Sequence, residues 1–316
     1  MVRTTSPFRR AVLGTSLSFT TLLAVACGSS NAQDSGSTAS AAPAATTALT
    51  HLLPASVRQS HTLTIATDAE YPPCEYYPSA SNHTMIGFEP DLWNAMGRKL
   101  GVHVNAVSIS FDGLIPGVQS GRYPLAVECI SDSAAREAQV SFVDFIYAED
   151  SVITLKANAR HITSNPLSVC GLTVALQEGT DIAPVVSSVL TPHCVKNGHP
   201  AVHVLQFKSE SATLLAVYSG RADFLVTDDA AAKYLARTAP KPITAIPNPL
   251  LPKFYLGIVV SKSDTKLQQA MLQATRELQQ DGTYGKVLAK WNISELGLKP
   301  AGINLATSHP LANPKP

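Results

Sequence analysis

A short motif occurs twice in this chain, each time where a helical pattern gives way to a strand. Ser120-Gly121-Arg122-Tyr123-Pro124-Leu125 is the first copy, and Ser219-Gly220-Arg221-Ala222-Asp223-Phe224 is the second. The glycine of each copy suits a helix C-terminus, where a left-handed residue is needed. Each following strand runs into polar residues, Ser131-Asp132 in one copy and Asp228-Asp229 in the other. Ligands of open α/β sheets bind beyond the carboxyl ends of the strands. Two similar α/β halves would therefore turn two such ends toward one cleft.

The surrounding pattern agrees, because strand and helix signals alternate from residue 62, as in an α/β sheet with helices on its faces. Strands are expected over 63–66, 102–107 and 125–127. A helix over 91–100 would put Leu92, Met96 and Leu100 on one side. Asp112 reads as the N-cap of a helix ending at Gly121. Residues 264–280 form an amphipathic pattern carrying Leu267, Ala270, Met271, Ala274 and Leu278 on one face. Residues 300–316 read as a loose C-terminal tail.

Bulk composition narrows the function classes. With 316 residues, 45% hydrophobic and 15% charged, the chain has apolar material for two cores. A net charge of +1 gives no basic stripe for nucleic acid. No run of about 18 apolar residues follows the N-terminal region, so no permanent membrane span is expected. The nine histidines are scattered. No Ser-His-Asp arrangement, metal-ligand spacing or phosphate loop is evident, so no cofactor and no metal are expected.

The N-terminus has the form of an export signal. Arg3, Arg9 and Arg10 precede an apolar stretch from Ala11 to Ala26, which ends in Ala24-Val25-Ala26 before Cys27. This resembles the bacterial lipoprotein signal, in which the Cys is acylated after cleavage. Ala24 departs from the usual Leu at that place, with Leu23 one position earlier. A plain signal peptide cut nearby is the alternative, and Arg9-Arg10 raises a twin-arginine signal, against which Phe8 stands where Ser or Thr is usual. On the lipoprotein reading, residues 1–27 are signal and acylated Cys27. Residues 28–61, rich in Ser, Ala and Thr up to about Thr50, are then a flexible tether and short lead-in. The anchor would lie on the outer face of the cytoplasmic membrane. Of five cysteines, Cys27 is thereby assigned to lipid, and the even remainder (Cys74, Cys129, Cys170, Cys194) suggests two bridges in an oxidising compartment, with free buried thiols as the alternative.

From Leu63 to Trp291 the chain resembles the family-3, amino-acid-binding solute receptors that feed ABC importers. The matching runs are Ala66-Thr67-Asp68-Ala69-Glu70-Tyr71-Pro72-Pro73, Gly87-Phe88-Glu89-Pro90-Asp91-Leu92-Trp93 and Phe111-Asp112-Gly113-Leu114-Ile115-Pro116. Ser219-Gly220-Arg221-Ala222-Asp223 and Asp281-Gly282-Thr283-Tyr284 follow in order. The resemblance implies a two-lobed α/β periplasmic-binding-protein fold of type II, with a two-strand hinge. Lobe 1 would take residues 62–146 and 256–299, and lobe 2 residues 151–252. The implied partners are a free amino acid and an importer permease, for a monomeric protein that is not an enzyme.

A free amino acid presents a carboxylate, an ammonium and a side chain, and its receptor must answer all three. Arg136 is the candidate carboxylate clamp, because guanidinium meets carboxylate in two charge-assisted bonds. Ser131 adds a hydroxyl, and Thr180 adds backbone N–H at a helix start. Asp228 is the candidate ammonium acceptor, leaving Asp229 as the helix cap, and the carbonyl of Cys129 is a second acceptor. Tyr71 and Phe111 stand where the family puts aromatic walls, and the resemblance implies that Asp68 points at the ligand side chain. Asp181 departs from the family's small residue and reads as a first-turn helix acid.

Two further departures carry weight. Cys74 replaces a usual Phe, and Glu128-Cys129 replace small residues. Cys170 and Cys194 would form a disulfide within lobe 2, fastening a strand start to the loop after the next helix, and the joint departure of Cys74 and Cys129 from the family suggests the second bridge. Setting Asp68, Glu128 and Asp228 against Arg136 makes the pocket acidic and favours a basic or cation-bearing ligand. Two rival classes share the fold: periplasmic dehydratases of the cyclohexadienyl type, to which Glu128 points, and sensory modules that signal through a partner.

Overall fold

A computed structural model describes residues 49–313. The export signal, Cys27 and the tether as far as residue 48 lie outside the described residues.

Twelve strands can be followed among the described residues: β1 (Thr62–Thr67), β2 (Glu70–Tyr71), β3 (Glu75–Tyr76), β4 (His103–Ser108), β5 (Leu125–Ala126), β6 (Ser141–Leu155), β7 (Thr173–Gln177), β8 (His203–Phe207), β9 (Phe224–Asp228), β10 (Ile243–Pro247), β11 (Lys253–Val260) and β12 (Gly297–Ile303). Hydrogen bonding links ten of them in the order β4-β1-β5-β11-β6-β9-β7-β8, with β10 and β12 also paired to β6. The two ends have the same construction. Parallel β4-β1-β5 forms one flank and parallel β9-β7-β8 the other. The duplicated motif sits at matching points, with Gly121 at φ +72° and Gly220 at φ +71°, each just past a helix and before β5 or β9.

The two flanks are joined by continuous strands. β6 runs for 15 residues, almost all buried. It pairs antiparallel with β11 through Glu149, then with β9 from Asp150. An extended segment crossing between flanks thus keeps its backbone groups paired, which burial demands. Each flank packs its own core: Leu63, Ile65, Leu92 and Met271 lie in one, and Val174, Leu176, Leu190 and Phe224 in the other.

Several local readings change. The helix expected over 91–100 spans Phe88–Leu100. Pro90 is accommodated because first-turn N–H groups have no intrahelical partner to lose. Phe88, Leu92, Met96 and Leu100 form its buried face, against the helix Thr265–Gln280. Asp112 is not an N-cap; it lies in a 3-10 turn over Phe111–Gly113, and its carboxylate pairs with Lys208 at 3.1 Å.

Both ends of the body are more ordered than composition suggests. The stretch before β1 includes a helix over Ala55–Ser60, and Leu49, Leu53 and Val57 are buried in the first core. The expected loose tail is built into the sheet and beyond. β12 pairs with β6, and the backbone N–H groups of Leu305, Ala306 and Thr307 donate to Asp144, Asp132 and Glu137 at 2.8, 3.0 and 3.0 Å. Further along, Asn313 exchanges two hydrogen bonds with the backbone of Lys253, at 2.8 and 2.9 Å. Carboxylates distant in sequence hold this segment, so its own composition gives no sign of it.

Candidate functional site

The carboxyl ends of β5, β7 and β9 converge on a cavity of about 400 Å³. Tyr71, Phe111, Glu128, Cys129, Ser131, Thr180 and Asp228 all line it. Two expected residues do not. Asp68 lies behind the wall, where its carboxylate accepts the Gln177 side-chain N–H at 3.0 Å; Gln177 is the residue that reaches the cavity. Arg136 lines a neighbouring cavity of about 270 Å³.

Acidic side chains dominate the lining. Glu128, Asp132, Asp150, Glu210 and Asp228 are each no more than 9% exposed. Taking a carboxylate out of water disfavours its ionised form, so these groups are pushed up. Glu210 rises to about 7, chiefly through burial. Burial raises Glu128 well above the usual range, with repulsion from Asp68, Glu89 and Asp228 adding to it. Asp150 is raised likewise, by burial and then by Asp228 and Asp229. Behind the wall, burial and the nearby Glu70 lift Asp68 to about 6. One Glu128 oxygen and one Glu210 oxygen have no hydrogen-bond partner among the described residues. Lys253 also lines the cavity, with its ammonium paired to Glu149 at 2.9 Å.

Asp228 takes the cap expected of Asp229 while keeping its place at the cavity. Asp228 is the N-cap of the helix Asp229–Thr238, accepting from the Ala231 N–H at 3.0 Å. Its other oxygen accepts the Tyr71 hydroxyl at 2.5 Å, so it caps the helix and still faces the cavity. Asp229 instead accepts from the Ser151 hydroxyl at 2.5 Å. The Thr180 hydroxyl is turned inward and donates to the Gln177 carbonyl at 2.8 Å.

Arg136 is held by its own protein. One terminal nitrogen donates to the Ser131 carbonyl and hydroxyl at 2.8 and 2.6 Å, and the other donates to the Gly179 carbonyl at 2.7 Å. Its Nε lies 3.3 Å from Asp181. The guanidinium carbon stands 5.8 Å from the centre of the Phe111 ring. Asp181 occupies the N-cap position of the short helix Ile182–Val185 without capping it. The expected first-turn acid is thus an ion-pair partner.

Both disulfides form as paired in the sequence reading, with Cα separations of 6.1 Å for Cys74–Cys129 and 5.5 Å for Cys170–Cys194. The first ties the loop after β2 to the cavity wall, where the Cys129 N–H donates to both Glu89 oxygens at 3.1 Å. Its sulfurs lie near an Asp228 oxygen, but a disulfide is no metal ligand, so this trio is not a metal site.

Asp150, Glu210 and the C-terminal Ala306, Pro310, Leu311 and Asn313 line the cavity without having been anticipated. Asp150 carried a signal, as one of three acids, with Asp144 and Glu149, in a mostly apolar strand, since a buried charge is costly. Glu210 did not, because after Ser209 it looks like an ordinary first-turn acid.

The sequence matches the profile of the bacterial extracellular solute-binding proteins, family 3, over residues 63–294. An arginine-binding protein of Corynebacterium glutamicum is 27% identical over 258 residues, covering 80% of this chain and 81% of that protein. The structure of an ancestral arginine-binding protein bound to arginine superposes with a TM-score of 0.64 at 28% identity, covering 73% of this chain and 98% of that one. An ancestral amino-acid-binding protein described as a precursor of cyclohexadienyl dehydratase gives 0.63 at 28% identity, over 75% and 97% of the two chains. No helix among the described residues is long and apolar enough to cross a membrane.

Proposed function

Because the chain belongs to the bacterial extracellular solute-binding proteins of family 3, we propose that it captures a basic amino acid in the cleft between its lobes and delivers it to an ABC importer. The cluster of buried carboxylates around the cavity carries this reading. A cation 4 Å from one carboxylate gains about 4 kcal/mol at an effective dielectric constant of 20. An acidic side chain in the same place would meet repulsion of similar size.

In this reading Asp228 and the Cys129 carbonyl accept from the α-ammonium, and Tyr71 and Phe111 flank the aliphatic stem. Arg136, Ser131 and Thr180 serve the carboxylate. Glu128, Asp150 and Glu210 draw the distal cation, with Asp68 contributing charge through Gln177. Lobe 1 (62–146 and 256–299) and lobe 2 (151–252) close by bending at β6 and β11, as two-connection hinges do. The protein acts as a monomer, anchored outside the membrane by lipid on Cys27, with 28–48 as its tether. Thermal-shift screening of the twenty amino acids tests this: arginine, lysine or ornithine should raise the melting temperature, by about 2.7 kcal/mol of stabilisation at a hundred times the dissociation constant. Stabilisation by glutamate or aspartate alone would contradict it.

One observation favours a second reading. Glu128 is a carboxyl at the cavity wall whose pKa burial raises well above the usual range, a shift toward the protonated form from which a dehydratase would protonate a departing hydroxyl. Mass analysis after prolonged incubation separates the two: a ligand recovered unchanged supports binding, and a dehydrated product supports the enzyme.

A further inference from the structure

Asp181 stands where the ligand's carboxylate would be expected. Its two oxygens take the Nε side of Arg136 at 3.3 Å and the Ser131 hydroxyl at 3.2 Å, the two side-chain donors assigned to that carboxylate. The remaining N–H groups of Arg136 that the structure accounts for go to Ser131 and Gly179. Asp181 lines both cavities, Ser131 the main one and Arg136 only the neighbouring one, so the acid joins the guanidinium to the space an occupant would fill. Asp181 spends nothing on its own helix, making no capping hydrogen bond, and its side chain is 32% exposed. It therefore has both the means to hold Arg136 and the room to leave it.

We propose that Asp181 is a specificity-determining residue. It acts as an internal carboxylate that fills the clamp and narrows the difference in affinity between a basic amino acid and the amine lacking its carboxylate. This rests on the basic-ligand reading above. A zwitterionic amino acid must displace Asp181 to reach Arg136, exchanging one carboxylate for another with little net gain. A guanidino-amine or diamine leaves the Arg136–Asp181 pair whole and meets only the acids of the cavity. Specificity is a difference of affinities, and an internal competitor subtracts from the term on which carboxylate recognition depends.

The test compares arginine with agmatine, its decarboxylated counterpart, by calorimetric titration of the full chain and of Asp181→Ala and Asp181→Asn. In the wild-type chain the two affinities should differ by less than roughly 30-fold, the lower end of what an unshared buried charge pair contributes. In both variants the ratio should move toward arginine by at least roughly tenfold, as Arg136 becomes free for the ligand. A wild-type preference for arginine well beyond that bound overturns the proposal, and it does so without reference to either variant. A ratio unchanged in folded variants, as judged by thermal melts, overturns it too. If neither compound binds the wild-type chain, the basic-ligand reading fails and this proposal fails with it. If both bind and the ratio does not move, only the role of Asp181 is lost.

Discussion

Raising the pH should destabilise the unliganded protein across a range where most proteins are indifferent. Burial and the nearby Glu70 carry Asp68 from 3.8 to about 6, and burial carries Glu210 from 4.5 to about 7. A carboxyl raised on folding binds its proton more tightly in the native state. Stability then falls as pH climbs from the unfolded value through the folded one. At about 1.4 kcal/mol per unit, each group costs about 3 kcal/mol by pH 7.5 relative to pH 4. For a folded body of this size, one such group alone shifts the melting temperature by roughly 5 °C. The lowered acids do not mask this, because Asp281, held down to about 2 by Lys99, has given its whole contribution before pH 5. Melts at intervals between pH 5 and 8 should show a steady decline, shallower in Glu210→Gln. A basic ligand favours the ionised acids, so its stabilising shift should grow over the same interval. A melting temperature that is flat or rises with pH would refute the reasoning.

Two further outcomes follow from the same contacts. Truncation after Ile303 removes the N–H donors that Leu305, Ala306 and Thr307 offer to three carboxylates. At about 1 kcal/mol per hydrogen bond the three together should cost about 3 kcal/mol in denaturant melts, and the lost cavity wall should weaken ligand binding; unchanged stability would contradict this. Replacing Cys170 and Cys194 together by Ala opens a link spanning 24 residues and should cost about 3 kcal/mol on the chain-entropy model, and a midpoint that stays in place would show the bridge to be dispensable.

The duplicated Ser-Gly-Arg motif made the two-flank architecture legible, because each copy marks one helix-to-strand turn with a left-handed glycine. The cysteine pairs were legible too, through parity and through Cys74 and Cys129 departing from the family together. What escaped were partnerships between distant residues. Asp228 and Asp229 are equally good caps by composition, and only the Tyr71 hydroxyl and the Ser151 hydroxyl distinguish them. Asp181 reads as a helix acid until Arg136 is seen beside it. The C-terminal segment has no apolar periodicity, because acids far away in the chain order it through its backbone. Asp68 sits one layer behind the cavity, and nothing local in the sequence shows that Gln177 lies in front of it.

The central claim is that this cavity is built for a positively charged amino acid. Calorimetric titration of the full chain with arginine and, separately, with glutamate at pH 7.5 tests it most directly. The account predicts saturable binding of arginine at one site per chain and none of glutamate at the same concentrations. Saturable binding of glutamate, with none of arginine, would contradict it.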